Sequence, residues 1–330
     1  MNTIAEIAEL ANVAKSTVSR YLNGGSVSET TRKKIEIVIN KTGYMPNAFA
    51  QSLKAKKTNI IGTIVPRLDS FASTQILIGI DDKLREQNYQ MLISNTSQDL
   101  KREIEYIYYM SNQKVAGIIL LATQITQAHL EAFDKTKVPV ILVGQQHERV
   151  YSVIQNDELA AFEMGKYVLE QGHRKIAYLG VTEDDIAVGV KRKEGFQRAI
   201  RNVEDCDARY YETSFSMEEA VKKASDIIET FVPTILVCAT DNIALGALKA
   251  AYLKGLHVPR DISITGFGGY DVSEMIHPSL TTVKFEYKES GQDAANNMVK
   301  LLNGIKIPPI LLSRYTIIER ESVDNILKRQ

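Results

Sequence analysis

Apolar side chains recur at helical spacing along the first forty or so residues. Ile4, Ile7, Ala8 and Ala11 fall on one face, the stripe that a packed helix buries. After Asn12-Val13-Ala14 a second segment, Lys15–Leu22, sets Ser16, Thr17, Ser19 and Arg20 around a single inward Val18. A third runs from about Ser28 to Lys41, with Ile35, Val38 and Ile39 on one side and bases on the other. Ser28 suits its N-cap, and Gly43-Tyr44-Met45-Pro46 its stop. Asn47–Ala55 predicts one more short helix, marginal by itself because isolated helices under about 12 residues barely form in water. From Asn59 the period changes. Apolar runs at Ile60–Val65, Gln90–Ile93, Ala116–Leu121, Val138–Val143, Lys175–Leu179, Ile235–Val237 and Ile262–Thr265 read as strands. Between them lie helical stretches, among them Gln75–Gln87, Leu100–Ser111, Glu158–Gln171, Arg192–Ile200, Met217–Thr230 and Ile243–Lys254. Repeated βα units predict parallel sheets covered on both faces. There are enough for two sheets, with a break near Gln145–Asn156 and a return near Thr281–Tyr287. Two lobes joined by crossovers make a cleft that closes like a hinge, a common site for small ligands.

Charge sharpens this picture. The 330 residues carry no net formal charge, but residues 1–58 hold nine bases against four acids, a net of +5 that leaves −5 for the rest. A basic head on a mildly acidic body fits a polyanion contact confined to one end. The two cysteines, Cys206 and Cys238, lack metal-type spacing, and Cys238 sits in the apolar run Thr234–Cys238, as a buried thiol would. The N-terminus lacks the apolar core of a secretion signal. The longest apolar run, Val115–Ala122, falls far short of the roughly 20 residues that span a bilayer. A cytoplasmic protein with no membrane contact is expected. Enzymatic motifs are wanting: there is no phosphate-binding loop and no nucleophile elbow, and Gly266-Phe267-Gly268-Gly269 is not a dinucleotide fingerprint. The five histidines are scattered without ligand spacing, and His173 reads as part of a helix-to-strand turn. Neither metal nor cofactor nor catalytic set is expected.

The helix, tight turn and second helix at the N-terminus have the form of a helix-turn-helix, whose second helix reads the major groove of DNA. Here the chain resembles the lactose/galactose repressor (LacI/GalR) family over essentially its whole length. The carrying residues are Ser16–Arg20, Val27-Ser28 with Thr31-Arg32, Gly43-Tyr44 with Pro46-Asn47, and Ala50 with Leu53. Further on they are Gly172–Arg174, Asp241–Gly246, Asp261–Gly266 and Pro278–Thr282. Within the family, Gly266–Tyr270 and Val65–Ser70 are similar to sucrose-operon repressors of Gram-positive bacteria. The resemblance implies a mixed α/β fold: an all-α headpiece with a hinge helix, then a periplasmic-binding-protein-like effector domain of two parallel-sheet lobes. The boundaries it implies are a headpiece at 1–46, a hinge helix and linker at 47–58, one lobe from 59–155 with 285–315, and a second from 156–284 with 316–330.

The same resemblance implies site residues. Lys15, Ser16 and Arg20 would read base edges, with Arg20 or Lys15 suited to guanine. Thr17 and Ser19 would bind phosphate. Ala50 and Leu53 would pair hinge helices of a dimer in the minor groove, Leu53 as a wedge at a central base step or simply packed against its own domain, with Asn47 and Lys54 beside it. Two copies imply a homodimer on a pseudo-palindromic operator in double-stranded DNA. Carried over position by position, Ser70, Phe71, Gln145, Arg192, Phe215, Asp241 and Tyr287 would line a pocket for a small sugar or sugar phosphate. Alternatives stay open here: Phe71 and Phe215 as core aromatics, Asp241 as a helix N-cap, Arg192 paired across the lobes. Glycine stands at 144, 268 and 269, where many relatives carry acids, and the cleared volume suits a bulky or phosphorylated ligand such as sucrose, sucrose 6-phosphate or fructose. The expected function is a repressor of a sugar-utilisation operon, of sucrose by the finer match. The alternative is a global catabolite regulator governed by a phosphorylated carrier protein.

Overall fold

The computed structural model describes residues 3–22, 25–44 and 58–329, and the chain divides into two units, 1–58 and 59–330. In the first, helices α1 (Ile4–Leu10), α2 (Lys15–Leu22) and α3 (Glu29–Thr42) close on a core of Ile7, Ala8, Ala11, Val18 and Ile35. Thr3 caps α1 reciprocally with Glu6, which satisfies backbone N–H groups that a helix start leaves unpaired. Asn12 turns the chain left-handed at φ 52°, and Gly43 ends α3 the same way at φ 62°.

The second unit holds two six-stranded sheets. Strands β1 (Ile60–Val65), β2 (Gln90–Asn95), β3 (Gly117–Leu121), β4 (Val140–Val143), β5 (Tyr151–Gln155) and β11 (Ile310–Ser313) form one, in the order β11-β5-β4-β3-β1-β2. All its neighbours run parallel. The other orders β12-β10-β9-β8-β6-β7 from β6 (Lys175–Gly180), β7 (Asp207–Glu212), β8 (Ile235–Cys238), β9 (Ser263–Gly268), β10 (Thr281–Phe285) and β12 (Tyr315–Ile318). Only β12 within it runs antiparallel. The expected doubly covered parallel sheets are therefore present, and Cys238 is buried on β8.

Several elements escape the periodicity. Strand β5 lies inside the stretch read as a break, and the edge strand β7, Asp-Ala-Arg-Tyr-Tyr-Glu, is too polar to stand out. Helix Gln127–Thr136 was not anticipated, nor was the long helix Tyr287–Leu302. The latter buries Tyr287, Met298 and Val299 but carries Gly291, Ala294 and Ala295 among its buried residues as well. It packs against Phe71–Glu86 by close backbone approach. A Cβ on Gly79 would lie 2.0 Å from the Lys288 carbonyl oxygen, and one on Gly291 2.1 Å from that of Ile76. Small residues make this crossing, so hydrophobicity could not announce it. The chain passes between the lobes after Gln155, after Phe285 and after Ser313. No helix of the described residues is long and apolar enough to cross a membrane.

Candidate nucleic-acid interface and ligand site

Burial sorts the residues of α2. Val18 is fully enclosed, Thr17 and Ser19 are half-buried, and Lys15, Ser16 and Arg20 are exposed. The base-reading candidates thus share the outer surface of a helix whose inner surface is locked to α1 and α3. From the other side, Tyr21 donates to Glu36 at 3.0 Å and Arg32 pairs with the same carboxylate at 2.9 Å, tying α2 to α3. Asn47, Ala50, Leu53 and Lys54 lie outside the described residues, as does the expected hinge helix.

In the second unit the lobes meet over a small polar chamber of about 120 Å³. Ser70, Gln145, Arg192, Phe215 and Tyr287 of the expected set line it. Phe71 and Asp241 do not. Phe71 opens the helix Phe71–Glu86, capped by Ser70, and its ring stacks on Tyr270 of the other lobe with centroids 4.2 Å apart.

Asp241 is wholly buried behind the chamber. Its carboxylate accepts from the Tyr270 amide at 2.8 Å, the Ser273 hydroxyl at 2.8 Å and the Thr282 hydroxyl at 2.5 Å. It is also not the N-cap of its helix; Thr240 is, accepting from the Ile243 amide at 3.2 Å. Burial raises the Asp241 carboxyl above its ordinary value, with those three bonds pulling it back. Asp241 therefore fastens the loop after β9 to β10.

The glycines have a different consequence from the one expected. Gly268 and Gly269 take φ 142° and 68°, and a Cβ on Gly268 would lie 2.2 Å from the Tyr270 ring. The freed volume is filled by Tyr270, folded back onto Phe71. Only Gly144, with nothing nearer its Cβ position than the Ala122 carbonyl oxygen at 3.9 Å, leaves room in the chamber wall.

Arg192 is the electrostatic centre. Its Nε donates to Asp157 at 2.8 Å and its Nη1 to the Ala239 carbonyl at 2.7 Å, with both charged side chains buried. The guanidinium lies 5.4 Å from the ring centre of Phe267 and 5.0 Å from that of Phe285. Burial works against its charge, yet Asp157 and Tyr287 hold its pKa above the ordinary value. Of five N–H donors in the fork, two are taken by these bonds and Tyr287 stands alongside. Burial pushes the Tyr287 phenol up to about 12, so it stays a donor at neutral pH.

Sequence reasoning missed much of the wall: Arg67, Gln98, Gln155, Asp157, Asp185 and Tyr270 all line the chamber. Asp157 starts the helix after the unanticipated β5. Asp185 accepts from the Val188 amide at 3.0 Å and opens a π-helical turn, Ile186–Lys191, a rare geometry that often marks functional sites. Arg67 had a signal, since it lies within the Val65–Ser70 block. Its guanidinium covers the Phe215 ring at 4.3 Å, across the cleft. With the Phe71–Tyr270 stack and an Ile186 amide bond to the Thr123 carbonyl at 3.2 Å, it holds the lobes closed.

Residues 3–47 match the family described as bacterial regulatory proteins, lacI family, and residues 166–323 match a periplasmic binding protein-like domain. The chain is 38% identical to the sucrose operon repressor of Staphylococcus xylosus over 305 residues, covering 92% of this chain and 94% of that one. It is 31% identical to catabolite control protein A of Priestia megaterium over 307 residues, 91% of this chain and 92% of that one. Among solved structures, the lac repressor dimer bound to operator and the anti-inducer ONPF superposes with a TM-score of 0.90 at 25% identity, over 98% of this chain and 99% of that one. An exposed helix-turn-helix face, two closed parallel-sheet lobes and near full-length similarity to repressors lead to one conclusion: the chain belongs to the lacI family of bacterial regulatory proteins.

Proposed function

We propose that this protein is a cytoplasmic transcriptional repressor of a sugar-utilisation operon, sucrose being the favoured sugar. It holds a pseudo-palindromic operator as a homodimer and releases it when a sugar enters the cleft. The observation that carries this reading is the chamber between the lobes, built on the buried Asp157–Arg192 pair, in a chain that also presents Lys15, Ser16 and Arg20 outward on a helix-turn-helix. Hydroxyl-rich ligands need such a mixture of fixed donors and acceptors beside aromatic faces. The similarity to a sucrose operon repressor favours sucrose. For a dimer, β2 is a sheet edge whose Leu92 and Ile93 are exposed beside Ile78 of the neighbouring helix. Leu53 and its neighbours are proposed as the hinge wedge from the sequence alone.

The test is fluorescence anisotropy on an operator taken from upstream of the protein's own gene, with and without sucrose, sucrose 6-phosphate, fructose and glucose 6-phosphate. Release by one sugar is expected. Arg20→Ala should weaken operator binding by about 1–3 kcal/mol, the worth of one bidentate base contact, and relax specificity at one base pair. Gln145→Ala should leave operator binding intact and raise the sugar concentration needed for release. The 31% identity to a catabolite control protein keeps a second reading in view. Binding that no sugar alters, but that a phosphorylated carrier protein does, would decide for it.

A further inference from the structure

The cleft holds a second, larger space beside the inner chamber. It measures about 740 Å³ and shares Gln98, Thr123, Asp185 and Phe215 with the 120 Å³ inner chamber. Pockets for drug-sized ligands begin near about 300 Å³, so the inner chamber alone suits no more than one small ring. The Phe215 ring lines both spaces, and the Arg67 guanidinium of the inner chamber lies on it at 4.3 Å. Arg67 comes from one lobe and Phe215 from the other. The ring face that a sugar would stack on is therefore occupied by a side chain of the protein itself. Its other ion-pair approach, to the exposed Asp69, is loose at 3.9 Å, and one cation–π contact is weak enough for a ligand to displace.

The outer chamber also has a chemical bias. Asp99, Asp184, Asp185 and Glu212 line it against Lys101. Asp99 already caps the helix Leu100–Asn112, accepting from the Lys101 and Arg102 amides at 2.8 and 3.2 Å, so that helix start is taken. Thr213 in the same wall has a buried hydroxyl with no hydrogen-bond partner among the described residues. The exposed carboxylates can accept from sugar hydroxyls, and they repel a phosphate.

Resting on the reading of the cleft as a sugar site, we propose that the Arg67–Phe215 stack is a movable partition. Closed, it limits the inner chamber to one small ring; displaced, it joins both chambers into a single site for an uncharged two-ring saccharide. Arg67 thereby sets the size preference of the site, and the acidic outer wall sets its preference for a neutral sugar over its phosphate ester.

Calorimetry on the full chain, with sucrose, fructose and sucrose 6-phosphate, tests each part. A ligand that must first displace the partition loses affinity by the fraction of time it is open. For a partition open about a tenth of the time, Arg67→Ala tightens sucrose about tenfold relative to fructose. A structural role for Arg67 would move both sugars alike. The wild-type protein is expected to bind sucrose 6-phosphate more weakly than sucrose, and Glu212→Gln to narrow that gap. An unchanged sucrose-to-fructose ratio in Arg67→Ala would overturn the partition, and sucrose 6-phosphate binding as tightly as sucrose would overturn the neutral-ligand assignment. Binding of none of these sugars would overturn the sugar reading of the cleft, and the partition with it.

Discussion

At the residue scale, the buried Asp157–Arg192 pair carries the largest consequence. Two charges taken out of water are tolerated because each satisfies the other and Arg192 gains the Ala239 carbonyl besides. Removing one partner leaves the other charge uncompensated, which costs about 3–5 kcal/mol. Asp157→Ala should therefore lower unfolding stability by that amount in urea titration, while Asp157→Leu combined with Arg192→Met should recover most of it and still not bind sugar. Glu321 acts at the surface. The Ser279 amide and hydroxyl, at 2.8 and 3.1 Å, and His277 hold its carboxyl below the ordinary glutamate value. A depressed folded value means stability that is present above the unfolded pKa of about 4.3 and lost as pH falls through the folded one. Comparing wild type with Glu321→Gln in urea should show a difference at pH 7 that disappears at low pH; a constant difference would refute the assignment.

At the element scale, backbone approach matters as much as apolar area. The helices Phe71–Glu86 and Tyr287–Leu302 cross where Gly79 and Gly291 face carbonyl oxygens. Gly291→Val forces backbone apart instead of bending a flexible side chain, so it should cost more than the about 1–3 kcal/mol of ordinary overpacking, read as a fall in melting temperature. The edge strand β2 yields a separate test. Exposed apolar edges invite pairing, and Ile93→Glu should shift sedimentation toward monomer while leaving the thermal transition of 59–330 nearly in place. Where an element was legible, as in Met217–Thr230, the apolar spacing was that of one buried stripe. The missed elements, β5, β7 and Tyr287–Leu302, are short, polar or built on small residues, and their burial comes from partners distant in sequence.

For the whole molecule, the proposed function is a linkage between operator and sugar. Coupling between sites of this kind is usually about 1–3 kcal/mol, a scale that contacts across the cleft such as Arg67–Phe215 and Phe71–Tyr270 can supply. A sugar present at a hundredfold its dissociation constant should stabilise the folded protein by about 2.7 kcal/mol. Calorimetric melting should show that gain in the transition of residues 59–330; a transition that no sugar moves would argue against a cleft ligand. Operator affinity should fall steeply with salt, since each phosphate neutralised releases counterions.

The order of residues by itself determined the helix-turn-helix, the switch at Asn59 from headpiece to βα units, the two parallel sheets and the family, because each rests on local periodicity or on a contiguous motif. The family resemblance named Ser70, Gln145, Arg192, Phe215 and Tyr287 as pocket residues, and these five line the chamber. Tertiary structure decided the rest. Asp241 could not be told from a ligand contact or a cap until Tyr270, Ser273 and Thr282 were seen around it. The space left by Gly268 and Gly269 could not be known to be filled until Tyr270 folded back. Arg67 and Phe215 are nearly 150 residues apart in the chain, and only closure of the two lobes brings a guanidinium onto that ring. Such pairings depend on how sheets and crossovers are stacked, and no local pattern encodes them.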